Sequence, residues 1–263
     1  MMDAMSSQPP PNTQEASQYI VDKHECIQMQ SSTDNIYNNI QESQQCVYNA
    51  YNTLVFSNDN RVFNKMIKRF ELYMKVKDLV GDIVEFGVFK GASIALWLNI
   101  ITMYEPNSLT KVIGFDYFDP ELVTKDLEGL NKTMMTNVLN RVEKHDLSLE
   151  KVKENLFSFE KARFDLIQGD AVINSSKFVK MNPGFKIKLL YMDLDLGKPT
   201  YEVLVNLWEK IHINGIIVFD EYGYHKWDET IGVDKFLETI PGKYQQFSTG
   251  ICAPTLYIQK LSM

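Results

Sequence analysis

Apolar positions recur at helical spacing through residues 61–79, where Val62, Phe63, Met66, Ile67, Phe70, Tyr73 and Met74 mark a core-facing helix that stops before Gly81. Beyond it the pattern shortens. Apolar runs at 83–86, 111–115, 164–168, 187–192 and 215–219 predict buried strands. Helix-like stretches at 91–104, 121–160, 172–180 and 199–211 follow the first four runs, and one at 229–239 follows the fifth. Two further β-like runs, 244–248 and 255–259, are joined through Gly250 and predict an antiparallel hairpin at one edge. Strands that alternate with helices imply right-handed crossovers. The expected fold is therefore α/β, a doubly wound, mostly parallel seven-stranded sheet with an antiparallel C-terminal hairpin and an N-terminal helical extension.

The extension reads as two parts. Residues 1–32 are rich in Gln, Ser, Pro and Thr and too poor in apolar side chains to offset ordering entropy, which predicts a disordered polar, acidic arm. Residues 33–80 are expected to be helical, with Asp34 capping a first helix whose apolar positions include Ile36, Ile40, Val47, Tyr51, Leu54 and Val55. That segment could pack on the main domain, act as a lid, or serve as a dimer element in a homodimer. Residues 81–263 then form the main domain, and all 13 glycines lie in it.

Composition narrows the class. At 263 residues with 44% hydrophobic positions, the chain has an ordinary globular make-up, which excludes a fibrous or wholly disordered protein. The net charge of −7 is uneven: residues 1–60 hold seven acids and one base, so the rest is nearly neutral and carries no basic field for nucleic acid. No run is long and apolar enough for a membrane span, and the first residues lack the basic and apolar regions of a secretory signal. Three cysteines without CxxC spacing point away from a disulfide framework or zinc site, and a cytoplasmic location is the default.

The candidate chemistry gathers at the carboxyl ends of the predicted strands. The first strand runs into Glu85-Phe86-Gly87, with Gly91 opening the next helix. The GxxxG spacing is not a dinucleotide fingerprint, and an acid before the glycine would repel a pyrophosphate but suits an ammonium or sulfonium. Asp116 ends the second strand, where an acid can accept from ribose hydroxyls, and Asp170 ends the third, within reach of an adenine edge; either could instead be a helix cap or a solvated loop acid. Asp193 and Asp195 follow the fourth strand, and Asp220 and Glu221 the fifth. Four carboxylates so placed repel unless something compensates, and a hard divalent cation would do so: Mg²⁺, with Mn²⁺ or Ca²⁺ as alternatives. In an extended chain Asp193 and Asp195 point the same way, so one could bind metal while the other takes a proton from a substrate hydroxyl. His225 follows closely and could be a base or substrate contact, or a loop residue without a role; Trp227 could stack on a sugar or pack on the sheet.

These segments, Glu85-Phe-Gly87-Val-Phe-Lys-Gly91, Met-Asp193-Leu-Asp195-Leu with Pro199-Thr200, Asp220-Glu221-Tyr-Gly223, Trp227 and Val233-Asp234-Lys-Phe236, resemble those of class I S-adenosylmethionine-dependent methyltransferases, and more closely the macrocin O-methyltransferase family of metal-dependent sugar O-methyltransferases. The resemblance covers about two thirds of the chain and implies a Rossmann-like sheet. It implies that the turn at Glu85, Gly87 and Gly91 holds the methionyl part of S-adenosylmethionine and that Asp116 holds the ribose; Phe86, Ser93, Asp170 and Asp193 are the further candidate cofactor-binding residues. Asp193, Asp220 and Glu221 would bind Mg²⁺, which would chelate the acceptor, a sugar or sugar nucleotide, and Asp195 would be the general base. The chain departs from the family pattern at Glu221, where an Asp is usual, at Gly197-Lys198, and at Tyr117-Phe118-Asp119-Pro120. Transfer to a catechol-like or amine acceptor, and a non-catalytic S-adenosylmethionine-binding module, are the rival functions.

Overall fold

Strand residues with alternating destinations build the body. In a computed structural model, which describes residues 37–263, seven strands form one sheet: β1 (Asp82–Phe86), β2 (Val112–Asp116), β3 (Phe164–Gln168), β4 (Ile187–Met192), β5 (Ile211–Phe219), β6 (Tyr244–Ser248) and β7 (Leu256–Lys260), in the order β3-β2-β1-β4-β5-β7-β6. The first five pair in parallel, and β7 joins β5 and β6 antiparallel, as the apolar pattern predicts. The arm expected over residues 1–32, and the Asp34 cap, lie outside the described residues.

Two compact units divide at Asn58/Asp59. The first contains helix α1 (Tyr37–Phe56). The second contains everything that follows, beginning with α2 (Arg61–Met74), whose Leu72 and Tyr73 are buried with strand and helix residues of the sheet. Helices α3 (Ala92–Tyr104), α4 (Pro120–Thr124), α5 (Gly129–Leu139), α6 (Leu149–Asn155), α7 (Ala171–Met181), α8 (Gly197–Leu207) and α9 (Glu229–Leu237) complete it. No helix among the described residues is long and apolar enough to cross a membrane.

The period of two sends neighbouring strand residues to opposite faces. Val84, Phe86, Ile113, Phe115, Leu190, Met192, Ile217 and Phe219 form one core with α8 and α9. Ile83, Val112, Leu189, Tyr191, Ile216 and Val218 form the other with α2 and α3. Both faces are covered, so the central strands are mostly apolar, with Glu85 in β1 and Lys188 in β4 as buried charged residues.

Two segments differ from the expectation. The single long helical stretch over 121–160 is three short helices and a 3₁₀ turn, because local caps restart the chain: Asp119 accepts from Glu121 N before Pro120, and Ser148 accepts from Lys151 N. The helix expected over 199–211 ends at Leu207, and β5 begins at Ile211 rather than 215. The early part of β5 was hidden because His212, Ile213 and Asn214 are not buried, and because a register shift opposite β4 precedes Ile216.

Candidate functional site

Parallel register decides which residues meet. Phe86 pairs with Met192 and Met192 with Phe219, so β1, β4 and β5 end level. The ladder continues one residue further: Asp193 N donates to the Phe86 carbonyl and Asp220 N to the Met192 carbonyl, each at 3.0 Å. Gly87, Asp193 and Asp220 therefore stand abreast at the carboxyl edge of the sheet, where ligands bind in doubly wound folds. They open on a cavity of about 710 Å³ that is also lined by Asp116, Asp170, Asp195 and Glu221.

The acids are not solvated loop residues. Asp220 is 2% exposed; its Oδ1 accepts from the Tyr191 hydroxyl and its Oδ2 from Lys65 Nζ at 3.0 Å. Burial holds the Asp193 carboxyl well above the usual carboxylate range, and the nearby Asp220 and Asp195 add to that. Asp195 is pushed up to about 7 by burial, then by Glu221 and Asp220. Glu221 is raised by burial and by Asp220. The chain is not extended through Asp195 as the alternation predicted: β4 ends at Met192 and Asp195 has φ +62°, a left-handed backbone that non-glycine residues seldom adopt outside functional or tightly held sites. A turn, not a strand, brings both Asp193 and Asp195 to the cavity.

On the glycine-turn side the predicted residues separate. Gly87 and Asp116 line the cavity. Asp116 Oδ2 accepts from Val88 N and Phe89 N, and Oδ1 from Phe118 N, so this carboxylate holds the turn in shape while Oδ1 keeps capacity for a further donor. Asp170 caps α7 through Ile173 N and accepts from the Tyr117 hydroxyl at 3.0 Å, and it too lines the cavity. Glu85, Phe86, Gly91 and Ser93 are not among the lining residues. Glu85 is fully buried, with Oε2 accepting from Trp97 Nε1 at 2.6 Å and Oε1 facing Arg69 Nη2 at 3.9 Å. Phe86 stacks on Phe115 within the core. His225 is exposed beside Tyr224 and does not line the cavity, whereas Trp227 is buried and does.

Three residues escape a reading of the sequence by apolar period alone. Lys65 and Arg69, four apart on α2, share a helix face; Arg69 is 6% exposed, with its guanidinium 4.3 Å from the Tyr191 ring centroid. The i, i+4 spacing of two cations inside an amphipathic helix was the available signal. Glu229, the first residue of α9, is a fifth carboxyl; it is fully buried, and its Oε1 accepts from Glu221 N. At Gly197 the departure from the family pattern has a steric cause. A Cβ there would lie 2.4 Å from the Asp228 carbonyl oxygen, so α8 and α9 can cross only without a side chain.

Four carboxylates on one cavity are a hard, all-oxygen donor set of the kind Mg²⁺ takes. Among the described residues no three acids, histidines or cysteines already stand together as a chelating group. The Lys65 ammonium is the cation now at Asp220. The donor chemistry is of a kind that suits a divalent ion, and Lys65 supplies a positive charge beside it.

The family profile described as Macrocin-O-methyltransferase (TylF) matches residues 5–239. A demethyldecarbamoylnovobiocin O-methyltransferase of Streptomyces niveus is 26% identical over 165 residues, which are 59% of this chain and 60% of that protein's length. Among solved structures, the apo form of CalS11, a TDP-rhamnose 3'-O-methyltransferase of calicheamicin biosynthesis, superposes with a TM-score of 0.58 at 22% identity, covering 89% of this chain and 97% of that one. The O-methyltransferase NovP superposes at 0.59 with 22% identity, covering 74% and 81%. At these identities the structures establish the shared fold.

Proposed function

The chain belongs to the macrocin O-methyltransferase family, and from that premise we propose that it transfers a methyl group from S-adenosylmethionine to a hydroxyl of a small molecule, a sugar or sugar nucleotide. The observation that carries this is the set Asp193, Asp195, Asp220 and Glu221 on one cavity with Gly87 and Asp116.

S-adenosylmethionine supplies a methyl group activated by its sulfonium. Gly87 offers bare backbone at the cavity wall, and Asp116 and Asp170 offer carboxylate acceptors to an adenosine. Asp195 is the proposed general base. A carboxyl pushed up to about 7 is a much better proton acceptor than an ordinary one. It takes the proton of the acceptor hydroxyl as that oxygen bonds the methyl carbon and the methyl–sulfur bond breaks, S-adenosylhomocysteine being the leaving group. The cavity wall, closed in part by Trp227, holds the acceptor and sheds water. Asp193, Asp220 and Glu221 would hold Mg²⁺, which when bound lowers the pKa of a ligated hydroxyl. Nothing in this assignment requires His225.

The test is a mass-shift assay for methyl transfer from S-adenosylmethionine to a panel of deoxy-sugar nucleotides and glycosides, with catechols and amines as controls. Methylated sugar is the expected product. Methylated catechol or amine alone would replace the acceptor class, and tight NADH binding without S-adenosylmethionine binding would remove the whole assignment. Exhaustive chelation is expected to lower the rate by at least about tenfold, with Mg²⁺ restoring it. An unchanged rate would take the metal out of the reaction.

A further inference from the structure

The positive charge at the acidic cluster comes from outside the sheet. Lys65 lies on α2, lines the cavity, and reaches Asp220 Oδ2 at 3.0 Å. Its influence extends to Asp193, Asp195 and Glu221, so one ammonium serves all four carboxylates. Arg69, one turn further along, lies against Tyr191, whose hydroxyl donates to the other oxygen of Asp220. α2 therefore grips Asp220 twice, directly through Lys65 and indirectly through Tyr191.

The two cations of α2 are not equivalent. Arg69 is buried between Tyr191, Trp97 and Glu85 and is pinned there. The Lys65 side chain is 36% exposed. An ammonium on a flexible four-carbon stem can leave one partner for water, whereas a packed guanidinium cannot do so without repacking its neighbours. A divalent ion drawn to Asp193, Asp220 and Glu221 needs the Asp220 oxygen that Lys65 now holds, and two cations at such short range repel.

We propose that Lys65 is a built-in competitor for the divalent-cation position: its ammonium holds Asp220 while no ion is bound and withdraws toward solvent when Asp220 becomes a ligand. The proposal rests on the metal assignment above. It makes Lys65 a positioning residue that keeps the carboxylates together in the metal-free protein. The coupling is reciprocal, so metal binding frees the Lys65 amine just as removal of that amine strengthens metal binding.

The test uses the full chain and Mn²⁺ as the probe, titrated by calorimetry and by electron paramagnetic resonance of the free ion. Lys65→Met is expected to bind Mn²⁺ at least about fivefold more tightly than wild type. Lys65→Arg, which keeps the charge, should bind no more tightly than wild type. Lys68→Met, on the same helix but paired with Glu71, should bind as wild type does. A second measurement needs no variant: reductive methylation of Lys65 in the wild-type protein, followed by peptide mass spectrometry, should increase when Mg²⁺ is added. Unchanged or weaker Mn²⁺ binding in Lys65→Met overturns the competition while leaving the metal assignment intact, and so does labelling that fails to rise in Mg²⁺. If neither wild type nor Lys65→Met binds Mn²⁺, both the competition and the metal assignment fall.

Discussion

Asp195→Asn is expected to lower the methyl-transfer rate by about 10²–10⁴-fold, the span usual for loss of a general base. The substitution removes the proton acceptor and little else. Asn is nearly the size of Asp, and it is among the few residues that tolerate a left-handed backbone such as the φ of +62° found here. The variant should therefore fold normally and bind S-adenosylmethionine within a few-fold of wild type. The raised proton affinity of Asp195 comes first from burial and then from Glu221 and Asp220, all of which remain in the variant. Single-turnover transfer measured by mass spectrometry, beside calorimetric cofactor binding, separates the two effects. A rate within tenfold of wild type would show that the proton goes elsewhere; equal losses in binding and rate would make Asp195 a binding residue.

Gly87→Ala should be a strongly destabilising single methyl group. With φ at +87° the backbone already disfavours any side chain, and an added Cβ would stand 1.9 Å from the Asp193 carbonyl oxygen. The left-handed backbone costs about 1–2 kcal/mol. Overpacking against a strand end adds about 1–3 kcal/mol. The sum is about 3 kcal/mol, which for a chain of this size lowers Tm by roughly 6–12 °C. Gly242→Ala is the control: φ is +72° there but nothing lies within 4 Å of the new carbon, so only the backbone cost applies. Thermal melts of the two variants should differ by several degrees. Equal shifts would mean that the close approach of β1 and β4 yields easily. The damage matters for function, because the strand end that must move carries Asp193.

Much of this arrangement was legible in the residues. The strands announced themselves as apolar runs, and β4 ends at Met192, where Asp193 follows the uncharged Leu189–Met192. The acidic pairs at 193/195 and 220/221 stood out because like charges at successive strand ends demand a reason. The segment from 120 to 160 was not legible as separate helices. Its breaks depend on side chains that accept backbone N–H groups, at Asp119 and Ser148, and such caps have no period.

The glycine turn shows a different limit. Glu85 stood out as an acid beside a binding loop, yet its side chain faces Trp97 and Arg69 in the interior. Strand alternation says only that successive residues point opposite ways; which face belongs to the cavity depends on what covers each side. Asp116, read as a partner for a ribose, already holds the backbone of the turn, because β1 and β2 are neighbours and level.

The sequence by itself determined the strand and helix alternation, the parallel sheet with its closing hairpin, and the acids at its carboxyl edge. These follow from local periodicity and from the rule that ligands sit where parallel strands end. Only the tertiary structure decided that a lysine 155 positions before Asp220 supplies the charge those acids need. It alone decided that Arg69 and Tyr191 brace the same carboxylate, and that a turn rather than a strand presents Asp195. Ion pairs of that separation leave no trace in local pattern, because their partners are set by how a helix crosses a sheet. The cluster was visible as a repulsion; its counter-charge became visible only once α2 was packed on the sheet beside Tyr191.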